Sequence, residues 1–272
     1  GLGDVYKRQG YTYKMASSFD WDQVYAAVWR HQGGCLRVVR EIDPITLDSL
    51  VGIDSQVREL ATNTERFISS KPANNALLWG ARGTGKSSLI KAIFNEYKTS
   101  NLRLIEVYKN DLSSLPEIVY DIRDLPFKFI IYCDDFSFAE NENTYVALKT
   151  ILEGSIEPPP GNVILYVTSN RRHLLPEHMK DNLNTSVIAG EIHYSDAVEE
   201  RISLSDRFGL WLSFYTPNDE GYLKIVDRYF PDDGIDRSKL HQAAIEFSRS
   251  RASKSGRTAK QFFNKYSSDE CD

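Results

Sequence analysis

A glycine-rich loop between an apolar run and a helix-like segment most constrains what this chain can fold into. The loop reads Gly-Ala-Arg-Gly-Thr-Gly-Lys-Ser over residues 80–87, directly after the run Ala76–Trp79, and residues 88–94 have helical composition. A strand, a glycine loop and a helix in this order are the context in which G-x-x-x-x-G-K-S binds phosphate. The alternative, a structural glycine turn, leaves the lysine at the start of the helix unexplained.

Each part of this loop has a physical use. Glycines let backbone N–H groups surround a polyphosphate without clashes from Cβ atoms. The helix N-terminus adds unpaired donors and a partial positive charge. Lys86 is expected to reach the β- and γ-phosphates, and the Ser87 hydroxyl to bind Mg²⁺. The predicted phosphate-binding residues are Gly80, Ala81, Arg82, Gly83, Thr84, Gly85, Lys86, Ser87 and Ser88.

Composition limits the class of protein and its partners. The chain has 272 residues, 41% hydrophobic and 26% charged, which is typical of one or two globular domains. A net charge of −5 does not favour a general attraction to nucleic acid or to anionic membranes. The three cysteines form no disulfide or zinc pattern, which fits a reducing compartment. No apolar run of about 18 residues is present. We therefore expect a cytoplasmic protein with no membrane partner.

The N-terminal region is interpreted in two parts. Residues 1–14 have no periodicity that continues downstream, and we interpret them as a non-native or disordered leader before Met15. Residues 15–49 are predicted to hold a helix and a linker. The helix prediction, for Phe19–Gln32, rests on the helical spacing of Trp21, Val24, Tyr25 and Val28.

Residues 50–216 are predicted to form an α/β domain, and residues 217–272 a small helical unit. Near-continuous apolar runs indicate strands buried on both faces of a parallel sheet, and helical segments alternate with them. After Thr216 the strand signals stop and only helical spacing remains. The five predicted strands are Ala76–Trp79, Leu102–Tyr108, Phe127–Cys133, Val163–Thr168 and Leu210–Tyr215.

Polar side chains follow two of these strands. Asp134 and Asp135 come directly after the third strand, where Asp134 is expected to hold Mg²⁺ and Asp135 to face an attacking water. The alternative is a pair of acids that caps a strand end in solvent. Asn170 closes the fourth strand, where it either orients that water or serves as an ordinary turn residue.

Two arginines complete the set of candidate residues. Arg207 precedes the fifth strand and is either an arginine finger for the γ-phosphate or a surface partner of Asp206. Arg257 opens the last predicted helix and is placed to touch phosphate. Between Arg237 and Lys265 there are eight Lys or Arg residues against one acid. Phosphate sensing, a nucleic-acid contact and a solvated helical face are the open interpretations of that region.

In this order the motifs resemble those of an AAA+ ATPase. The resemblance makes residues 80–87 the Walker A motif, Asp134 the Walker B acid, Asn170 sensor 1, Arg207 the arginine finger and Arg257 sensor 2. Residues Val51, Gly52 and Ile53 resemble the segment that packs on adenine. The chain is most similar to a family of small bacterial ATP-binding AAA+ proteins of unknown function, over about residues 20–266. The matching stretches are residues 72–88, 133–138, 168–176, 203–214 and 255–257.

The resemblance implies a P-loop αβα sandwich with a five-stranded parallel sheet and a C-terminal helical lid. It also implies ATP and Mg²⁺ as ligands, and ATP hydrolysis coupled to remodelling or loading of an unidentified protein partner. A homo-oligomer is implied because Arg207 would act across a subunit boundary. One departure is Asp135, since most AAA+ enzymes carry a longer glutamate there. Two alternatives stay open: a nucleotide-gated binding module with negligible turnover, and a small-molecule P-loop kinase, which Asn170 and Arg257 fit less well.

Overall fold

The computed structural model of the protein describes residues 13–14, 19–30, 34–136, 142–154, 156–170, 186–188, 191–193, 206–231 and 234–269. Most of the predicted leader, residues 1–12, therefore lies outside the described residues. So do parts of the stretches that carry the family resemblance, at residues 137–138, 171–176 and 203–205. Within the described ranges, no helix is both long and apolar enough to cross a bilayer.

Ten strands lie in the described part of the chain: β1 (Tyr13–Lys14), β2 (Ala26–Arg30), β3 (Cys35–Val38), β4 (Ala76–Gly80), β5 (Leu102–Glu106), β6 (Lys128–Cys133), β7 (Val163–Ser169), β8 (Ser186–Ile188), β9 (Glu191–His193) and β10 (Leu210–Phe214). Eight of them form one sheet in the order β1-β3-β2-β5-β6-β7-β4-β10, and β8 pairs with β9 in a separate antiparallel hairpin. The five strands predicted from the sequence are neighbours in this sheet and run parallel. The predicted parallel sheet is therefore confirmed.

The sheet is larger than predicted because the N-terminal region adds three strands to it. The predicted helix over Phe19–Gln32 is wrong, since its central part is strand β2, paired parallel with β5 and antiparallel with β3. The apolar residues from 26 to 29 are buried on both sides of the sheet, so their pattern is continuous rather than alternating. The spacing of the apolar residues from Trp21 onward also fits a helix. Only the pairing with β5 distinguishes a strand from a helix in this segment. Strand β1 likewise brings part of the predicted leader into the sheet.

Seven α-helices are described: α1 (Asp54–Ile68), α2 (Lys86–Tyr97), α3 (Leu115–Ile122), α4 (Glu142–Glu153), α5 (Asp219–Tyr229), α6 (Arg237–Ser250) and α7 (Gly256–Asp269). Helices α1 and α2 pack on one face of the sheet, where Leu60 and Leu89 meet Leu104 and Ile130. Helices α3 and α4 pack on the other face. The sheet is thus the middle layer of an αβα sandwich.

The last three helices form the predicted helical unit with a small core of its own. That core contains Tyr222, Val226, Leu240 and Phe262. A backbone hydrogen bond of 3.1 Å, from the Gly256 N–H to the Gly83 carbonyl, connects this unit to the glycine loop. The helical unit therefore lies directly over the loop as a lid.

Candidate functional site

The glycine loop connects the end of β4 to the first residue of α2. Gly80 has a φ of +138°, and a Cβ atom there would lie 1.9 Å from the Phe214 carbonyl oxygen of β10. Gly83 has a φ of +75°, and a Cβ atom there would lie 2.8 Å from the Ser255 side chain. Both positions exclude other residues because of backbone conformation and space. The glycines thus allow the loop to touch β10 on one side and the lid on the other.

Lys86 turns its ammonium group back into this loop. Its side chain is buried, and Nζ donates to the carbonyl oxygens of Gly80 and Ala81, both at 2.7 Å. Burial lowers the pKa of Lys86, and the nearby carboxylates of Asp134 and Asp135 oppose that shift. A buried cation surrounded by backbone groups is a suitable partner for a phosphate that enters the loop.

The structure brings the predicted polar residues together at one edge of the sheet. Ser87 Oγ donates to Asp134 Oδ1 at 2.8 Å. Asn170 Oδ1 accepts from Lys86 Nζ at 3.2 Å, and its Nδ2 donates to the Asp135 carboxylate. Strands β4, β7 and β6 are parallel neighbours, so their carboxyl ends meet at this edge. Five residues from three separate segments therefore form one connected polar group.

Ser87 and Asp134 fit a magnesium ion by their chemistry. Mg²⁺ prefers oxygen ligands, and it is commonly held by one or two protein groups together with substrate phosphates and water. The Ser87 hydroxyl and the Asp134 carboxylate supply such oxygens next to the phosphate loop, at the strand end predicted for them. These two residues could hold the ion beside a bound phosphate.

Asp135 is directed toward the loop by its backbone as well as by its side chain. It has a φ of +53°, and its N–H donates to Thr168 Oγ1 at 2.9 Å. Besides Asn170, its carboxylate lies 3.8 Å from the Arg82 guanidinium, with both side chains largely exposed. The carboxylate therefore lies beside the glycine loop, and its reach is one methylene shorter than that of glutamate.

Three residues that the sequence analysis did not single out also belong to this site. Thr168 is fully buried and donates through Oγ1 to Asp134 Oδ1. Burial and the charge of Asp134 raise the pKa of the Tyr132 hydroxyl. Glu106 ends the neighbouring strand β5, and burial, together with the charge of Asp134, raises its pKa. Thr168 and Tyr132 lie inside apolar runs. Their polar groups are the only feature of the sequence that distinguishes them from their apolar neighbours.

A cavity of about 630 Å³ lies between the segment before α1 and the lid helix α5. Val51 and Gly52 line one wall, and Asn218 and Lys224 line the other. Ile53 contributes differently, because its Cδ1 lies 3.4 Å from the position of a Cβ atom on Gly85, which places it against the phosphate loop. The residues predicted to pack on adenine thus lie between a cavity and the loop.

Arg257 lies in the first turn of α7, beside the loop. The Gly256 N–H binds the Gly83 carbonyl, and the Arg257 Cβ is 3.9 Å from the position of a Cβ atom on Gly83. Ser255 Oγ accepts from the Thr258 N–H at 3.2 Å and so caps the helix. The lid arginine is therefore exposed at the helix end nearest the phosphate loop.

Arg207 lies near the amino ends of the parallel strands, whereas the glycine loop lies at their carboxyl ends. It precedes β10, whose first residue Leu210 pairs with Ala76 at the start of β4, whereas the phosphate loop follows the end of β4. At about 3.3 Å per strand residue, this separates Arg207 from the loop by roughly 20 Å along the sheet. Arg207 forms an ion pair with Glu153 of α4. The arginine is therefore not part of the polar group around Lys86 in the same chain.

Three known proteins show what this chain is similar to. Proteasome-activating nucleotidase 2 of Haloferax volcanii is 25% identical over 230 residues, covering 77% of this chain and 52% of its own length. The chain thus spans about half the length of that relative. The Aeropyrum pernix ORC1 protein, solved in complex with DNA, aligns with a TM-score of 0.54 and 16% identity, covering 77% of this chain and 58% of that one. The RuvB Holliday junction branch migration motor of Thermotoga maritima aligns at a TM-score of 0.45 and 14% identity, over 81% and 72%.

The likeness to ORC1 confirms the predicted fold class, a largely parallel sheet between layers of helices, although the sheet has more strands than the five predicted. A family described as "Protein of unknown function (DUF815)" matches residues 22–270. The match covers nearly the whole chain, so the chain belongs to this family. The family resemblance inferred from the motifs is therefore confirmed.

Proposed function

We propose that this member of the DUF815 family is an Mg²⁺-dependent ATPase that couples ATP hydrolysis to remodelling or loading of a protein partner. The observation that carries the proposal is the hydrogen-bonded connection from Lys86 through Asn170 to Asp135. It combines a phosphate-binding cation, a polar amide and a carboxylate in one site. Phosphoryl transfer needs this combination, because its catalysis depends on positioning and on neutralising charge.

Each residue has a proposed task. Lys86 exchanges its bonds to the Gly80 and Ala81 carbonyls for phosphate oxygens. Ser87 and Asp134 hold the Mg²⁺ that accompanies ATP, and the ion neutralises charge on the phosphates. Asp135 and Asn170 orient the attacking water.

The remaining predicted residues bind the nucleotide at the edges of the site. Val51 and Gly52 hold the base in the cavity beside the lid, and Ile53 packs where that cavity meets the phosphate loop. Arg257 contacts the γ-phosphate from the lid.

The simplest test is equilibrium binding of labelled ATP to the whole chain, followed by steady-state phosphate release. We expect ATP binding that depends on Mg²⁺ and measurable release of phosphate. The Lys86→Ala variant serves as the negative control for both. Absence of ATP binding by the wild-type chain would contradict the proposal. Release should also be measured with DNA or RNA added, because the basic residues of the lid leave nucleic acid open as a partner. The proposal itself favours a protein partner in the cytoplasm.

A nucleotide-gated switch with negligible turnover is the second candidate. It is favoured by the short side chain of Asp135, which is also engaged by Asn170 and Arg82. ATP binding that changes the conformation of the lid without phosphate release would support the switch. Steady release that Asp135→Asn abolishes would support the ATPase.

Asp134→Ala and Asp135→Asn are expected to separate binding from turnover. The first removes a proposed metal ligand, so the gain in ATP affinity on adding Mg²⁺ should fall by at least about tenfold, the scale of metal-site substitutions. The second should leave that gain unchanged and abolish phosphate release. ATP binding in EDTA serves as the control, because neither variant alters the phosphate loop. Equal losses of affinity in both variants would contradict the assigned roles.

Arg257→Ala is expected to weaken ATP about tenfold more than ADP, because the contact that it removes is a charged hydrogen bond to the γ-phosphate. Lys260→Ala is the matched control, since Lys260 is exposed one turn further along α7. An unchanged ATP-to-ADP preference together with weaker, salt-sensitive nucleic-acid binding would instead favour the basic-patch interpretation of the lid.

A further inference from the structure

Arg207 is bound by the C-terminal end of helix α4, a different part of the chain. Its Nε donates to the carboxylate of Glu153, the last residue of α4, which lies 54 positions earlier in the sequence. Both side chains are partly exposed, at 24% for Arg207 and 36% for Glu153. The ion pair therefore lies at the surface of the protein, where solvent reaches the guanidinium.

The backbone on the Arg207 side of this ion pair is fixed by its neighbours. Phe208 is 1% exposed and belongs to the same core cluster as Ile151 of α4. Gly209 lies against Asn74, because a Cβ atom on this glycine would be 2.5 Å from the Asn74 Oδ1 atom. These contacts set where the Arg207 backbone lies relative to α4. The direction of its long side chain depends on what the guanidinium contacts.

The backbone on the Glu153 side is fixed as well. Gly154 directly follows Glu153, and its N–H donates to the Thr150 carbonyl at 2.9 Å. Gly154 has a φ of +80°, and a Cβ atom there would lie 2.5 Å from the Glu157 carbonyl oxygen, so the chain turns sharply after the helix. The carboxylate that binds Arg207 therefore projects from the end of a packed helix.

An arginine finger needs support of this kind. It acts only when its guanidinium is held within about 0.5 Å of the productive position, and neighbouring groups that lock the side chain provide that precision. A carboxylate bound at Nε fixes the plane of the guanidinium, because the planar donors of arginine match the geometry of carboxylates. Since the ion pair is partly exposed, it is weak enough for the arginine to adjust when it meets a phosphate.

We propose that Glu153 is a positioning residue, which holds the Arg207 guanidinium in the orientation that acts on the γ-phosphate bound by a second copy of this chain. This inference rests on the proposed function, with Arg207 as its arginine finger. In the opposite role, Glu153 would sequester the arginine and lower activity. The two roles predict opposite effects when the carboxylate is removed.

The test measures steady-state ATP hydrolysis by the whole chain, at concentrations where it assembles. Glu153→Ala should lower kcat about tenfold, the scale of one lost hydrogen bond to a charged group, and leave the KM for ATP unchanged. Glu153→Gln keeps an acceptor oxygen and should retain most of the rate. Glu157→Ala is the matched control and should match the wild type, because Glu157 pairs with Arg123. Thermal melting and size-exclusion chromatography check that each variant folds and assembles.

Mixed assemblies distinguish positioning of the arginine from a general effect on the fold. When Lys86→Ala chains are mixed with Arg207→Ala chains, the active site combines the loop of the second with the arginine of the first. Adding Glu153→Ala to the Lys86→Ala chain should lower the recovered hydrolysis about tenfold, because that chain supplies the arginine. Adding it to the Arg207→Ala chain should change nothing, since the residue that Glu153 positions is absent there.

The possible failures can be told apart. If the parent mixture recovers activity, then equal losses from both placements of Glu153→Ala, an unchanged rate or a higher rate would overturn only the role of Glu153. No recovery in mixed assemblies that do form would overturn the arginine finger, and the inference with it. No hydrolysis by the wild-type chain would overturn the proposed ATPase function and this inference together.

Discussion

Lys86→Ala is expected to lower ATP affinity by more than about 100-fold while the fold remains intact. The ammonium group now bonds to two loop carbonyls at 2.7 Å and would bond to phosphate oxygens in their place. Two hydrogen bonds between charged groups correspond to about 3–6 kcal/mol of binding free energy, which exceeds a factor of 100. The melting temperature should not fall, because burial lowers the pKa of Lys86 and its removal relieves a desolvation cost.

Lys91→Ala is the matched control for this experiment. Lys91 lies on the same helix, one turn after Ser87, and forms an ion pair with Asp43 at 3.3 Å near the surface. Its removal takes away one lysine charge without touching the loop, so ATP affinity should stay within about twofold of wild type, as befits an exposed ion pair. Wild-type affinity in Lys86→Ala, or equal losses in the two variants, would show that the loop is not the phosphate site.

Arg207→Ala is expected to lower the rate of ATP hydrolysis by about 10³-fold with almost no change in ATP affinity, because an arginine finger acts on charge that develops in the transition state. Arg207 lies at the far edge of the sheet from the loop of its own chain, so an arginine finger at this position would act on the loop of a second copy. Arg123→Ala is the control, since Arg123 forms a similar ion pair with Glu157. Phosphate release above the concentration of assembly is the measurement.

Mixing Arg207→Ala with Lys86→Ala chains tests the shared site directly. In a mixed assembly, the intact loop of one chain meets the intact arginine of another, so part of the activity should return. The expected recovery requires that mixed oligomers form, which differently tagged chains and size-exclusion chromatography can establish. If mixed oligomers form and activity does not return, Arg207 is an ordinary surface residue that pairs with Glu153.

The central sheet could be predicted because its signals are local. Strands β4 to β7 and β10 are mostly apolar rather than alternating, which occurs when both faces of a sheet are covered by helices. Strand β2 has the same property, yet its residues also fit a helical spacing. Whether it forms a strand or a helix depends on pairing with β5, whose residues lie 78 positions later in the chain. The spacing of residues within a short segment does not show which distant strand it pairs with, so β2 was wrongly predicted to be a helix.

The residues of the candidate site can likewise be divided into those that the sequence could predict and those that it could not. Residues at strand ends, such as Asp134, Asp135 and Asn170, could be found because the carboxyl ends of parallel strands meet at one edge. Thr168 lies within a strand, and its contact with Asp134 arises only from register and from the direction of the side chain. Arg207 and Arg257 were treated alike in the sequence, but the fold places Arg257 beside the loop and Arg207 at the opposite edge.

The sequence by itself determined the glycine loop, the strand-end acids and the five parallel strands β4 to β7 and β10, since each depends on residues that are close together in the chain. Only the tertiary structure decided that the N-terminal residues extend the sheet, that the lid contacts Gly83 and that Thr168 donates to Asp134. These features depend on which strands pair and at which register. Pairing is set by packing between distant segments, and no short stretch of sequence contains that information.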